Sequence, residues 1–180
     1  MPSSCKCIIV DNVLITIAKI TKTFYPDSVI DNFDEHALEI SKIIFVNKVK
    51  HGKNVLIGKN VKIGKKCFIG HNTIIESNVI IGDNCSIGSN VIIRNTMIGN
   101  NVNVLDGCVI GKKGFGFFPD KVNNFRYPHI GSVIIENNCE IGCGSTIDRG
   151  SLSNTVIGKN TYIDNQVHIA HNNKIGSNCI

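Results

Sequence analysis

The sequence has no run of five or six basic residues, nothing close to the roughly twenty consecutive apolar residues of a membrane span, and little charge, 18% of 180 residues. Its net charge of +5 is a mild basic excess that suits acidic partners such as phosphates or nucleotides. With no basic block and no nucleic-acid motif, a nucleic-acid binder is not supported. Apolar runs such as "IIV" and "IIFV" exclude a transmembrane segment. The N-terminal stretch is broken by Asp11 and Asn12 and offers no small-residue cleavage site, so no secretory signal is expected and a cytoplasmic location is. Cysteine is plentiful, at eight residues, yet metal-ligand spacing is missing. Neither Cys5-Lys-Cys7 nor the Cys139/Cys143 pair has further ligands at zinc spacing, so no metal site is expected.

What the sequence does have is a repeat. Ile57-Gly58, Ile63-Gly64, Ile69-Gly70, Ile81-Gly82 and Ile87-Gly88 recur every six residues, and Ile75 and Ile93 hold the same phase without the glycine. Hexads of this kind, such as "NVKIGK" and "NCSIGS", are the signature of a β-helix in which three hexads make one triangular coil. Residues 18 apart then stack, so Ile57, Ile75 and Ile93 form one ladder and Ile63 with Ile81 another. Coils spaced like hydrogen-bonded strands, about 4.8 Å apart, complete one another's backbone pairing. Glycine and asparagine at the corners are expected to supply positive φ. Cys67, Cys85, Cys108 and Cys139 take the slot filled elsewhere by Val55, Val61, Val79 and Val91, and Cys179 keeps that phase. They read as small core residues.

After Ile93 the phase moves one residue early through Ile98, Val104 and Ile110, and the repeat then pauses. Residues 112–129, "KKGFGFFPDKVNNFRYPH", carry five of the eleven aromatics and are expected to leave the solenoid as an inserted loop that either contacts substrate or packs back on its coil. The repeat resumes at Ile135, jumps at "DRGSLSNTVIG", and ends at Ile180 in mid-hexad with no capping helix, which suggests part of a longer protein. Upstream, "CKCIIV" reads as a short strand. "DNVLITIAKITKTFYP" reads as a helix, with Leu14, Ile17, Ala18 and Thr21 to Phe24 at helical spacing, Asp11 or Asn12 as N-cap and Pro26 beyond its end.

Three stretches, "GKKGFGFFPD" (Gly111 to Asp120), "IGCGSTIDRGSLSNTVIG" (Ile141 to Gly158) and "IDNQVHIAHNNKIG" (Ile163 to Gly176), resemble in order and spacing the UDP-3-O-acylglucosamine N-acyltransferases of lipid A biosynthesis. "DNVLITIAKITKTFYP" resembles the end of that family's uridine-binding domain. The resemblance implies an all-β fold: a left-handed parallel β-helix of hexapeptide repeats over residues 35–180, preceded by a short α/β remnant of the uridine-binding domain over residues 1–34. It also implies a homotrimer with active sites between subunits. The implied reaction moves a 3-hydroxyacyl group from the phosphopantetheine of acyl carrier protein to the 2-amine of UDP-3-O-acylglucosamine, with no other cofactor. The family's base, the histidine of IAHN, falls on His171.

Histidine suits that role because it titrates near neutrality and can take a proton from an amine attacking a thioester. The same phase also accepts a histidine at His71, two residues after Ile69, where no catalysis is implied. His168 points outward by alternation, and His51 fills an aliphatic slot in the first coil. Phe115, Gly116, Phe117, Asp164 and Asn165 are weaker candidates for substrate contact. Three alternatives remain open: a sister O-acyltransferase acting on UDP-N-acetylglucosamine, a β-helix carbonic anhydrase using His129, His168 and His171 without a convincing ligand pattern, and a non-catalytic trimeric scaffold.

Overall fold

The computed structural model describes residues 4–43, 49–119 and 123–180. The hexads wind into a β-solenoid whose short strands fall on three faces. The first face stacks Leu56–Ile57, Ile74–Ile75, Ile92–Ile93, Val109–Lys113, Thr146–Arg149 and His168–Ile169. The second begins at Lys62–Ile63 and ends at Lys174–Ile175, and the third runs from Lys50–His51 to Tyr162–Ile163. Pairing between coils is parallel throughout, and both expected ladders form, Ile57 with Ile75 and Ile93, and Ile63 with Ile81. The inward isoleucines of the first face, Ile57, Ile75, Ile93, Ile110 and Ile147, are almost completely buried.

Coil length varies while the register survives. Equivalent asparagines are 18 apart at Asn60 and Asn78, 17 apart at Asn84 and Asn101, and 37 apart at Asn101 and Asn138. The 17-residue step is the early phase seen after Ile93, and Ile98 still pairs with Ile81. The 37-residue step contains the inserted loop. A 22-residue step at Cys143 and Asn165 contains the jump at "DRGSLSNTVIG".

The corners correct one expectation. Positive φ belongs mostly to asparagines such as Asn60, Asn78 and Asn90, while Gly58, Gly64, Gly70, Gly82 and Gly88 of the Ile-Gly hexads have ordinary φ; Gly111, after Ile110, is an exception with φ +83°. The hexad glycine is needed for space, because a Cβ on Gly58 or Gly70 would collide with the backbone of the next coil. Asparagine fills the left-handed position because its short amide tolerates it and bonds its neighbour above: Asn54 Nδ2 donates to Asn72 Oδ1 at 3.0 Å, and Asn160 Nδ2 to Asn178 Oδ1 at 2.8 Å.

The slot holding valine or cysteine is more than small. Cys67, Cys85, Cys108 and Cys139 are buried, and their thiols donate to the carbonyls of Gly82, Gly99, Gly142 and Gly158 at 3.0–3.2 Å. Thr73 and Thr161 hydroxyls make the same bond to Gly88 and Gly176. Burial pushes these thiols up, Cys85 to about 11, so they are poor nucleophiles near neutrality. His51 stands over Ile69 in the lowest strand of the third face and is exposed there, bonded to the carbonyl of Gly52. His71 Nδ1 accepts from the Lys53 N–H at 2.8 Å, a structural use of the phase it shares with His171.

Upstream of the solenoid, helix α1 spans Val13–Phe24, with the Asn12 side chain accepting from the Ile15 N–H at 3.0 Å as N-cap and Ala18 and Thr21 buried. The expected strand at Cys5–Val10 does not form, and Ile8 and Ile9 are exposed. An apolar run becomes a strand only where a sheet edge receives it, and the edge of Leu56–Ile57 is taken by Leu38–Glu39, paired antiparallel. Among the described residues no helix is long and apolar enough to cross a membrane.

The ladder gives a direct stability test. Ile93→Ala, at a fully buried site between Ile75 and Ile110, should cost about 2–5 kcal/mol in urea unfolding. Lys62→Ala, on the outward position of a strand, should change stability by no more than about 0.5 kcal/mol.

Candidate active site

The last complete strand of the first face is His168–Ile169, paired with Thr146–Ile147. Alternation turns Ile169 into the core and leaves His168 exposed. The chain then turns the corner through Ala170, which brings His171 to a half-buried position beside the base of the inserted loop. Asn172, at positive φ, fixes the next step of the turn. Its Oδ1 accepts from the Ser151 N–H at 2.8 Å and the Ser153 hydroxyl at 3.1 Å, which orients its amide nitrogen toward Ser151 Oγ at 2.7 Å and His171 Nδ1 at 2.9 Å. An amide N–H can only donate, so His171 Nδ1 is the acceptor and the neutral ring carries its proton on Nε2.

The inserted loop wraps a second histidine against the first. Lys112 and Lys113 extend the strand across a register shift, pairing with Asp148 and Arg149. Phe117–Phe118 and Phe125–Arg126 then form an antiparallel hairpin arm, and residues 120–122 lie outside the described ones. On the way out, a Cβ on Gly114 would fall 2.6 Å from His171 Cδ2, and one on Gly116 would fall 2.9 Å from His129 Cε1. Each glycine of the G-F-G turn makes room for one imidazole. The rings of His129 and His171 meet edge to face, 4.8 Å apart with their planes at 85°.

His129 is completely buried. Its Nδ1 lies 3.0 Å from the Tyr127 carbonyl, so that nitrogen carries the proton, and the buried Nε2 has no hydrogen-bond partner among the described residues. Burial, and then the neighbouring His171, push its pKa down to about 4. It is therefore a neutral wall at any ordinary pH.

Acidic and basic groups flank the pair. Asp148, of the "TIDRG" stretch, is nearly buried, and its Oδ2 lies 3.6 Å from His168 Nε2. His168 Nδ1 is in turn 2.7 Å from the Thr146 hydroxyl. Burial raises the Asp148 carboxyl above its ordinary value against the pull of His168, His171 and Arg126. Arg126 stacks over Phe117, 4.6 Å from its centroid, and donates to the Gly114 carbonyl at 2.7 Å. Both ends of the loop are tied to the segment after helix α1: Lys113 Nζ donates to the Val29 carbonyl at 3.0 Å, and the His129 N–H donates to the Ser28 carbonyl at 3.3 Å. Asp31 pairs with both Lys113 and Arg94 at 3.4 Å, and Arg94 also pairs with Glu76.

The expected residues divide between two corners. Gly116 and Phe117 lie on the loop that covers the histidines, and Phe115 projects from it, 85% exposed, edge to face with Phe117 at 5.0 Å. Asp164 and Asn165 sit at the corner between the third and first faces, before the strand that His171 follows. There Asn165 Oδ1 accepts from the Cys143 N–H at 2.6 Å, and the Asp164 carbonyl accepts from the Ser145 hydroxyl at 2.8 Å. Within one chain these two serve coil-to-coil bonding, away from His171. Sequence reasoning singled out neither Gly114 nor Asp148, and weighed His129 only as a zinc ligand in the carbonic anhydrase alternative. The spacing of G-F-G and the position of His129 immediately before the repeat resumes were the available signals.

Two family models match: the bacterial transferase hexapeptide, six repeats, over residues 60–95, and the hexapeptide repeat of succinyl-transferase over residues 78–113. Residues 60–113 thus carry hexapeptide repeats of the kind these two models describe, on the β-solenoid seen in the structure. A stretch of 83 residues of this chain is 53% identical to the UDP-3-O-acylglucosamine N-acyltransferases of Bradyrhizobium diazoefficiens and Nitrobacter hamburgensis. It covers 46% of this chain but only 23% of each relative, so the match spans about a quarter of the curated relatives' length. Among solved structures, a mutant of AntD from Bacillus cereus, an N-acyltransferase in complex with dTDP-4-amino-4,6-dideoxyglucose and coenzyme A, superimposes with a TM-score of 0.56. That pairing covers 81% of this chain and 83% of AntD at 18% identity, and it establishes the shared fold.

The neutral His129 gives a pH signature. Between its unfolded value of 6.5 and its folded value of about 4, the unfolded chain binds a proton that the folded one refuses. Stability from this site is therefore complete above about pH 6.5, declines as pH falls toward 4, and changes no further below that. Thermal midpoints across that window should fall less steeply in His129→Phe than in the wild type.

Proposed function

We propose that this β-helix belongs to a UDP-3-O-acylglucosamine N-acyltransferase and that His171 is its general base. The observation that carries the reading is convergence: the "GFGF", "TIDRG" and "IAHN" stretches, far apart in sequence, bring Gly114, Asp148 and His171 to one corner of the solenoid. The identity to enzymes of that name supports the choice of chemistry.

In this reading the acceptor is the 2-amine of UDP-3-O-acylglucosamine, and the donor is a 3-hydroxyacyl thioester on the phosphopantetheine of acyl carrier protein. The amine nitrogen attacks the thioester carbon, the C–N bond forms, and the amine's proton passes to His171. Collapse of the tetrahedral species breaks the C–S bond, and His171 returns the proton to the departing thiolate. A backbone N–H held by a coil would receive the oxyanion. Proton acceptance needs a free lone pair on the ring. The lone pair on Nδ1 is held by Asn172, so the amide must release it when substrate enters. No covalent acyl-enzyme is required, consistent with buried thiols whose pKa values are raised. The segment 1–34 as the end of a uridine-binding domain, a homotrimeric assembly that completes the cleft, and a cytoplasmic location belong to the same proposal.

The test is acyl transfer from 3-hydroxyacyl carrier protein to UDP-3-O-acylglucosamine, using the chain itself and the chain extended to its relatives' length. His171→Ala should lower kcat by about 10²–10⁴-fold with the fold retained. Full activity in that variant would remove His171 from the mechanism. Preference for an acceptor hydroxyl over the free amine would point to the sister O-acyltransferase.

A further inference from the structure

We propose that His129 is the positioning residue of the site, holding the His171 imidazole in its working plane through the edge-to-face contact. The inference rests on the reading of His171 as the base, but its structural half can be tested without activity.

Three observations carry it. The contact between the rings is close and nearly perpendicular, the geometry in which two aromatic rings attract rather than merely fill space. His129 is itself immobilised: it has no exposed surface, its Nδ1–H is held by the Tyr127 carbonyl, and its backbone N–H is held by Ser28. The turn on the other side leaves no slack, since Gly114 lies against His171 and Gly116 against His129, each without space for a methyl group. His171 is therefore clamped between a glycine and a fixed imidazole. Asn172 holds its Nδ1 atom but by one hydrogen bond does not fix the plane of the ring.

The protonation state of His129 suits this task. The charged groups around it are His171, Arg126 and Arg149, all cationic or able to become so, and burial adds to their effect in keeping His129 neutral. A cationic neighbour would oppose the uptake of a proton by His171; a neutral ring in contact with it does not. Asp148, on the strand below, is the anionic group that acts on His171. The neighbourhood thus offers His171 one carboxylate and one neutral ring, although Arg126 of the hairpin and Arg149 of the strand Thr146–Arg149 lie close by. Burying an imidazole nitrogen with no partner costs folding free energy, so His129 is not explained as a filler of the fold.

The experiment compares the wild type with His129→Ala and His129→Phe, reading the ring nitrogen signals of His171 by NMR in histidine-labelled chain, together with kcat and KM for acyl transfer. In His129→Ala the His171 ring should lose its single ordered environment and shift its titration midpoint, and kcat should fall by about 10- to 100-fold with KM within about two-fold. In His129→Phe, which keeps the edge-to-face contact, the ring signals should stay ordered and most of kcat should return. The proposal is overturned if His129→Ala leaves the His171 signals and midpoint unchanged. It is overturned equally if a folded His129→Phe variant is as impaired as His129→Ala. Should His129→Ala fail to fold, His129→Phe alone decides, through the order and midpoint of His171. If His171→Ala proves active while His129→Ala still disorders the His171 ring, the base assignment fails and the positioning contact stands.

Discussion

Every part of this molecule depends on one constraint: each coil must return the backbone to within a strand spacing of the coil below, in register. Parallel pairing along three faces then satisfies the amide groups of every coil, and the isoleucine ladders bury the side chains that alternation turns inward. The constraint is severe on the strands and lenient elsewhere. It admits coils of 17, 18, 22 and 37 residues because any excess can be put out at a corner.

The severity explains details that a composition count would misassign. Glycine after the isoleucine is a requirement for proximity, imposed by the coil above, whereas asparagine supplies the left-handed turn and then ties its own ladder. Cysteine and threonine share a slot because both can donate to the next coil's carbonyl. Four of the eight cysteines, Cys67, Cys85, Cys108 and Cys139, therefore say more about stacking geometry than about redox chemistry.

How far the sequence could be read follows from the same division. The ladders, the phase change after Ile93, helix α1 and the buried cysteines were legible because they repeat or follow a local rule. The strand expected at Cys5–Val10 failed because strands need a partner edge, which is not a property of the segment. Of the candidate site, the sequence shows only part. His171, Gly116 and Phe117 could be named as candidates from the resemblance, and the loop bearing Gly116 and Phe117 runs beside His171. Asp164 and Asn165 looked equally near in sequence but lie at another corner, because six residues of this chain subtend a third of a turn. The place of His129 and Gly114 beside His171 was not legible because it lies in contacts made across the insertion, which periodicity cannot describe where the period is suspended.

The tolerance of the stack for unequal coils has a wider consequence. A position in this molecule has in effect two coordinates, an angle set by its corner and a height set by its coil, and distance along the chain enters only through them. Gly114 and His171 share both closely enough to touch. A solenoid of this kind can acquire a new reactive corner by lengthening a single coil, leaving the coordinates of every other residue where they were.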